Sequence, residues 1–436
     1  MIPARTTLLL AAALLALPAA AAPRQAASAP TPEETAAFLA TRPDGLKPYW
    51  ANLWAGGERN AVLNFQRLGL AAMQLGDFAT AEKAFDAALL RIEGVYGNNR
   101  LAARARSTFA REANKDFKGE PYERAMAYYY RGLLYLRAGD YGNARASFKN
   151  AEFQDSVSES EEFQADFAAM NYLIGWSTRC MGGSDGAADF AAAARAQPGI
   201  TMPPRDHNLL LVAETGAGPI KLQDGALREK LVFRRREANP PEQQALFQFA
   251  ASGGPAVVAA QPVSSLAFQA TTRGGRAIDG ILKGKASFKA TTGGIANAAF
   301  NAGFALMGNG RDNSNAGAVL AGVGALFALF SSAARAEADV RYWDQLPETL
   351  GLATTVAAAA DPVDVRFING DGRPPSPPAA LMQGGDASCR IVWARSRTAL
   401  VPGDVRGDDD RVRASVARRR DTAARNRQLR EALMQM

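Results

Sequence analysis

The sequence predicts an α+β protein with several domains. An array of TPR-like α-helical hairpins comes first, and a β-rich domain with an inserted Gly/Ala-rich helical hairpin follows. Three observations predict this organisation: one residue pattern occurs twice before residue 155, strand-like segments follow residue 205, and uncharged Ala/Gly stretches interrupt them. The 436 residues, 47% of them hydrophobic, can form two or three folded domains with a sizeable core.

The repeated pattern lies at 65–88 and again at 128–151. In each copy a glycine (Gly69, Gly132) lets two helices approach closely, and a Gly-Asp-aromatic turn separates them. A phenylalanine such as Phe148 then fills the space between the helices. Six matched positions are typical of tetratricopeptide (TPR) hairpins, which hold partners. Two unrelated amphipathic hairpins are the alternative. A third, degenerate hairpin is expected from Phe163 to Cys180 and from Gly186 to Ala196.

The first residues resemble a secretory signal peptide. Arg5 precedes the apolar run Leu8 to Leu17, and small residues follow it. A retained membrane anchor is the alternative, but the run is too short to span a bilayer. No cysteine lies directly after the run, so we expect a cleaved, periplasmic protein rather than a lipoprotein. The predicted divisions are a signal peptide at 1–21, a leader at 22–47, a TPR-like helical domain at 48–200, a β-rich domain at 205–400 with a helical hairpin at 293–335, and an Arg-rich tail at 405–436.

Segments in which apolar and polar residues alternate between Gly and Pro predict the strands of the second domain. They lie at 209–215, 230–234, 265–272, 286–292, 363–368 and 389–394. Two uncharged stretches, Gly293 to Met307 and Ala316 to Ala334, form the inserted hairpin. It either packs on the sheet, which we favour, or inserts in a membrane or self-associates through its small residues.

Charge and cysteine content suggest the surroundings of the protein. Of the net charge of +7, the tail contributes nine Arg against five acids. Export argues against nucleic acid as a partner, so this tail is either a solvated segment or a contact with an anionic envelope surface. Cys180 and Cys389 could form one disulfide in an oxidising compartment, but we expect two unpaired, buried thiols.

No group of residues predicts catalysis. Ser184 lies in a G-x-S-x-G pentapeptide, but a helix precedes it where a nucleophile elbow needs a strand. His207, the one histidine, and two distant cysteines cannot form an ordinary zinc shell. We therefore predict no enzyme activity, no catalytic residue, no metal and no cofactor; a serine hydrolase that uses Ser184 is a minor alternative.

The inner face of the first helix of each hairpin predicts a groove for a protein or peptide partner. The groove residues are Gln66, Leu70, Met73, Gln74, Tyr129, Leu133, Leu136 and Arg137. The amide, phenol and guanidinium groups among them can hydrogen-bond a peptide, and Arg137 could pair with a carboxylate. Alternatively, the groove is covered by a helix at Leu101 to Lys115 or by the β-rich domain.

Four segments are distinctive together: 116–124, 139–141, 214–221 and 338–347. On them the chain resembles a poorly characterised family of exported bacterial proteins with a TPR-like N-terminal region and a β-rich C-terminal region. The resemblance implies a cell-envelope role and supplies no reaction or ligand. We therefore predict an exported, non-enzymatic scaffold or adaptor of the envelope. The alternative is a membrane-associated or self-assembling component that uses the 293–335 hairpin.

Overall fold

The structure, a computed structural model, describes most of the chain. The described residues are 30–96, 116–156, 166–224, 230–237, 240–251, 254–272, 339–357, 363–370, 372–405 and 422–436. The predicted signal peptide, the helix at 101–115, the strand at 286–292 and the hairpin at 293–335 lie outside these residues.

The N-terminal half is helical. Its helices are α1 (Pro32–Ala40), α2 (Lys47–Gln74), α3 (Phe78–Tyr96), α4 (Pro121–Arg137), α5 (Tyr141–Ser156), α6 (Ala168–Cys180) and α7 (Ala187–Ala196). α1 lies in the predicted leader, where Thr31 and Glu34 form a capping box. The other six helices form three consecutive hairpins, α2–α3, α4–α5 and α6–α7.

Each hairpin has a glycine where its two helices touch. A β-carbon placed on the glycine would lie 2.5–3.1 Å from a phenylalanine ring of the second helix, which is too close for a side chain. The pairs are Gly69 with Phe85 (2.8 Å), Gly132 with Phe148 (2.5 Å) and Gly175 with Phe190 (3.1 Å). The contact that the sequence predicts in two hairpins therefore occurs in all three.

The helix ends follow from the turn residues. Gly76 and Gly139 have φ of +75° and +76°, a conformation that favours glycine. Asp77 then accepts a hydrogen bond from the backbone N–H of Thr80, and Asp140 caps α5 in the same way.

The C-terminal half contains a seven-stranded mixed sheet, so the α+β class is confirmed. The strands are β1 (Leu209–Thr215), β2 (Ile220–Asp224), β3 (Lys230–Arg234), β4 (Glu242–Ala251), β5 (Gly254–Ser265), β6 (Thr349–Thr355), β7 (Val363–Asn369), β8 (Ala380–Gly385) and β9 (Arg390–Arg395). The large sheet has the order β7-β4-β5-β6-β1-β9-β8, with β1 and β9 parallel and the other neighbours antiparallel. β2 and β3 form a separate pair.

The predicted strand at 265–272 is wrong. Its residues form helix α8 (Leu266–Thr271), which Ser265 caps by accepting from the backbone N–H of Phe268. Leu266, Ala267 and Ala270 are buried, a helical spacing that a strand could not place on one face. The last described helix, α9 (Thr422–Gln435), lies in the predicted tail and packs against α2.

Helices and sheet share one hydrophobic core. One face of the sheet packs on the helical hairpins, with Leu210, Val212 and Trp393 in the same buried cluster as the helices. The sheet curls so that residues of its other face, such as Leu211 and Phe247, bury each other in a second cluster. Both faces of β1 and β9 are therefore buried.

A disulfide also joins the two halves. Cys180, at the end of α6, is bonded to Cys389, which precedes β9, across a sequence separation of 209. The expectation of two free thiols is therefore wrong. Residues far apart in the sequence meet here because the β8–β9 hairpin packs on the helices. Among the helices in the described part of the chain, none is long and apolar enough to cross a membrane.

Candidate functional site

The predicted groove is not an open surface. Its residues lie where predicted, on α2 and α4, but the chain's own C-terminal half covers them. Six are 0–1% exposed, namely Gln66, Leu70, Met73, Tyr129, Leu133 and Leu136, and Gln74 and Arg137 are partly buried. β8 packs against both helices, and a β-carbon on Gly384 of β8 would lie 2.6 Å from the carbonyl oxygen of Arg137. These residues therefore do not form an accessible groove. Instead the β-rich domain covers them, which was one of the alternatives.

The exposed edge of this face holds a segment of the chain itself. We call Thr398–Val405, which follows β9, the strap. The side-chain oxygen of Gln74 accepts from the backbone N–H of Ala399 at 2.5 Å, and its side-chain nitrogen donates to the hydroxyl of Thr398 at 3.0 Å. Tyr49 donates its hydroxyl proton to the carbonyl oxygen of Ala399 at 2.8 Å. Gln74 thus hydrogen-bonds a segment of its own chain.

Arg67 extends this contact along the strap. Its guanidinium donates to the carbonyl oxygens of Gly403 at 2.8 Å and Val401 at 3.4 Å. The side chain is 2% exposed and forms an ion pair with Asp344 at 3.2 Å. Together, Tyr49 and Arg67 bond the carbonyls of alternate strap residues 399, 401 and 403. The side chains of α2 therefore recognise mainly the backbone of the strap.

The other polar groove residues have different surroundings. Among the described residues, no carboxylate forms an ion pair with Arg137; its guanidinium lies 3.8 Å from the centroid of the Phe78 ring, a cation–π contact. The side-chain nitrogen and oxygen of Gln66 are buried without a hydrogen-bond partner in the described part of the protein.

A buried ion pair within the sheet is hydrogen-bonded to Tyr130 of α4. Arg395 of β9 lies 3.3 Å from Glu214 of β1, and both side chains are at most 2% exposed. Tyr130 and Trp393 donate to the two oxygens of this carboxylate at 3.0 and 2.8 Å. Burial raises the pKa of Glu214, whereas the charge of Arg395 and the hydrogen bonds from Trp393 and Tyr130 act to lower it. Both oxygens of this carboxylate therefore accept hydrogen bonds, which compensates for the cost of burying its charge.

A second buried cluster brings together three of the four distinctive segments. Glu123 of α4 accepts from the backbone N–H groups of Trp343 at 2.6 Å and Glu120 at 2.7 Å. Glu120 pairs with Lys221 of β2 at 2.5 Å, and Lys221 donates to the carbonyl oxygen of Arg341 at 3.3 Å. Burial raises the pKa of Glu123 to about 7, although the charge of Lys221 lowers it. Sequence analysis singled out these segments but missed that they meet.

A polar cleft of about 520 Å³ lies at the β4–β7 side of the sheet. Its lining includes Glu237, Glu242 and Arg397. Arg397 forms ion pairs with both glutamates, at 2.9 Å to Glu237. Arg373 also lines the cleft, so two guanidinium groups balance the two carboxylates and the formal charge of the lining is zero.

The structure places Ser184 and His207 with different partners. Ser184 lies in the α6–α7 turn, and its hydroxyl accepts from the backbone N–H of Gly186 at 3.3 Å. His207 contacts the hydroxyl of Thr354 through Nδ1 at 2.8 Å. In the described part of the chain, Ser184 is thus not hydrogen-bonded to the one histidine. Within the described ranges, no group of three or more His, Cys, Asp or Glu could hold a metal ion.

The chain matches no protein-family model, no curated protein and no solved structure.

Proposed function

We propose that the chain is an exported, non-enzymatic interaction protein of the bacterial cell envelope, whose TPR-like helical array recognises polypeptide backbone. The observation that carries the proposal is the strap: Tyr49, Arg67 and Gln74 of α2 bond a non-helical segment through its backbone N–H and C=O groups. A partner peptide could be held by the same chemistry, in which side chains on the face of a helical array hydrogen-bond a non-helical backbone.

The disulfide supports export. Disulfides persist in oxidising compartments and are rare in the cytosol, and Cys180–Cys389 joins the two halves of this fold. A signal-like segment at the start of the sequence is consistent with the same destination.

Export is tested by fractionation with thiol labelling. The full chain is expressed in a Gram-negative host, acid-quenched and alkylated with a mass-tagged maleimide before and after reduction. We expect processed protein in the osmotic-shock fraction, with both cysteines labelled only after reduction. Unprocessed protein in the cytosol with two reactive thiols would contradict the proposal.

Partner binding is tested by capture from native envelope extract. The mature chain, Gln74→Ala and Gln383→Ala are compared by quantitative mass spectrometry. Gln383 is exposed on β8 and makes a matched control. We expect at least one envelope protein to be captured equally by the mature chain and the control and depleted with Gln74→Ala. Identical capture by all three would reject the array as the binding surface.

A further inference from the structure

We propose that the strap is a ligand in cis: the α2 surface beneath it binds a non-helical segment of a partner protein, with a small residue in place of Ala399. This inference rests on the proposed function, since it names the site and the ligand chemistry. The partner segment would displace the strap and take over its backbone hydrogen bonds.

The strap is held mainly by its backbone. Ala399 is fully buried, and Leu400 and Val405 are partly buried against the core, but Val401 is 51% exposed, and Pro402 and Gly403 are also exposed. A segment of this kind can leave with the loss of one fully buried side chain and two partly buried ones. Its replacement needs a small residue at the Ala399 position, because that side chain is 0% exposed.

The groups on α2 that bind the strap have anchors outside it. Asp344 fixes the guanidinium of Arg67 at 3.2 Å. Gln345 donates to the hydroxyl oxygen of Tyr49 at 3.4 Å and also to the carbonyl oxygen of Ala399 at 2.5 Å, so this group binds the strap as well. Asp344 and Gln345 belong to the segment before β6, so Arg67 and Tyr49 each keep a partner there when the strap is absent. A surface that is ordered before binding loses little entropy on binding.

The strap competes with any partner because it is tethered. Residues joined by a short connection act at an effective concentration in the millimolar range. A peptide in trans should therefore bind weakly to the intact chain and more tightly once the strap is weakened. The matching variant is Ala399→Asp, which places a charge where a methyl group is buried and leaves α2 unchanged.

The test uses the full mature chain with its disulfide intact. A fluorescent peptide of residues 396–405 is the probe, and its affinity is measured by anisotropy. We expect Ala399→Asp to bind the peptide at least about ten-fold more tightly than the wild type. Adding Gln74→Ala removes the hydrogen bonds to both Thr398 and Ala399, so it should weaken this binding by more than about five-fold, the value of one hydrogen bond. Adding Gln383→Ala should not weaken it. A probe peptide that carries the same Ala-to-Asp change should not bind.

Hydrogen exchange of the strap gives an independent measurement. Ala399→Asp should increase exchange at residues 398–405 and leave β9 protected. If the variant does not fold, Leu400→Asp replaces it, since this side chain is only partly buried. A released strap with no gain in peptide affinity, or a gain that Gln74→Ala does not reduce, overturns the proposal. Dimers that form by exchange of straps would also overturn it, because the ligand would then be a second copy. These readouts involve neither export nor capture, so they fail separately from the proposed function.

Discussion

Replacing both Cys180 and Cys389 with Ser removes the covalent link between the third helical hairpin and the β8–β9 hairpin. The disulfide spans a sequence separation of 209 residues. In the chain-entropy model, a cross-link that closes a loop of this length stabilises the fold by about 5 kcal/mol, because it restricts the unfolded chain. This is comparable with the whole stability of many domains, so we expect a large decrease in the midpoint of unfolding.

Neighbouring contacts should keep the folded geometry in the double variant. Tyr141 donates its hydroxyl proton to the carbonyl oxygen of Cys389 at 3.0 Å and accepts from the backbone N–H of Asp386 at 3.3 Å. The loss should therefore come from the unfolded state more than from a rearranged hairpin.

Equilibrium unfolding in urea, followed by tryptophan fluorescence, measures the effect. The oxidised wild type should unfold at a higher urea concentration than the double variant, and each single Ser variant should match the double one. Reductant should shift the wild type to the same midpoint and leave the double variant unchanged. If neither reduction nor substitution moved the midpoint, the bridge would not contribute to this fold and the reasoning would fail.

Three further substitutions test the packing, the buried acid and the helix kink. Gly132→Ala should lower the free energy of unfolding by about 1–3 kcal/mol, because the added methyl group meets Phe148 at 2.5 Å. Gly142→Ala should not destabilise the protein in the same urea titration, because its methyl group would lie 4.0 Å from Oδ1 of Asp140, an ordinary contact distance. Burial raises the pKa of Glu123 from 4.5 to about 7, so the protonated side chain contributes its full stabilisation below pH 4.5. About 3 kcal/mol of the free energy of unfolding is lost as the pH rises from there through 7. Glu123→Gln should flatten this part of the stability–pH curve. Asn426→Ala removes the acceptor of a backbone N–H at the kink in α2 and should lower the thermal midpoint, at a cost of about 1 kcal/mol measured by calorimetry.

The kink shows a contact that the sequence could not supply. α2 bends at Gly57, whose φ is +62°, and this leaves the backbone N–H of Glu58 without a helical acceptor. Asn426 of α9 accepts from that N–H at 2.9 Å, and a β-carbon on Gly57 would lie 2.5 Å from the same side chain. Asn426 and the kink at Gly57 are separated by more than three hundred residues, so no local sequence pattern connects them.

The helical hairpins could be predicted because their signals are local. Gly76 and Asp77 determine one turn, and Gly69 and Phe85 one helix contact, within about twenty residues. Strands were less predictable. The residues of helix α8 are also compatible with a strand. The cap at Ser265 identifies them as a helix, but that hydrogen bond is visible only in the structure.

The buried charges illustrate a second limit. Glu123, Glu214 and Arg395 are separated in the sequence, and each alone resembles a solvated surface residue. Their burial becomes favourable only when the partners meet, because an unpaired charge in the core would be costly. The sequence did mark Glu123 and Glu214 as parts of distinctive segments, a signal without a location.

The covering of the groove follows from its own composition. Leu70, Met73, Leu133 and Leu136 would form a continuous apolar surface along two helices if they were open to water, and folded proteins rarely expose such surfaces. Packing on the curled sheet removes this surface from solvent and leaves the strap at the exposed edge. A partner that binds along the array must therefore compete with the strap at α2. For this reason peptide affinity in the Ala399→Asp variant, rather than mutation of the buried inner face, tests recognition most directly.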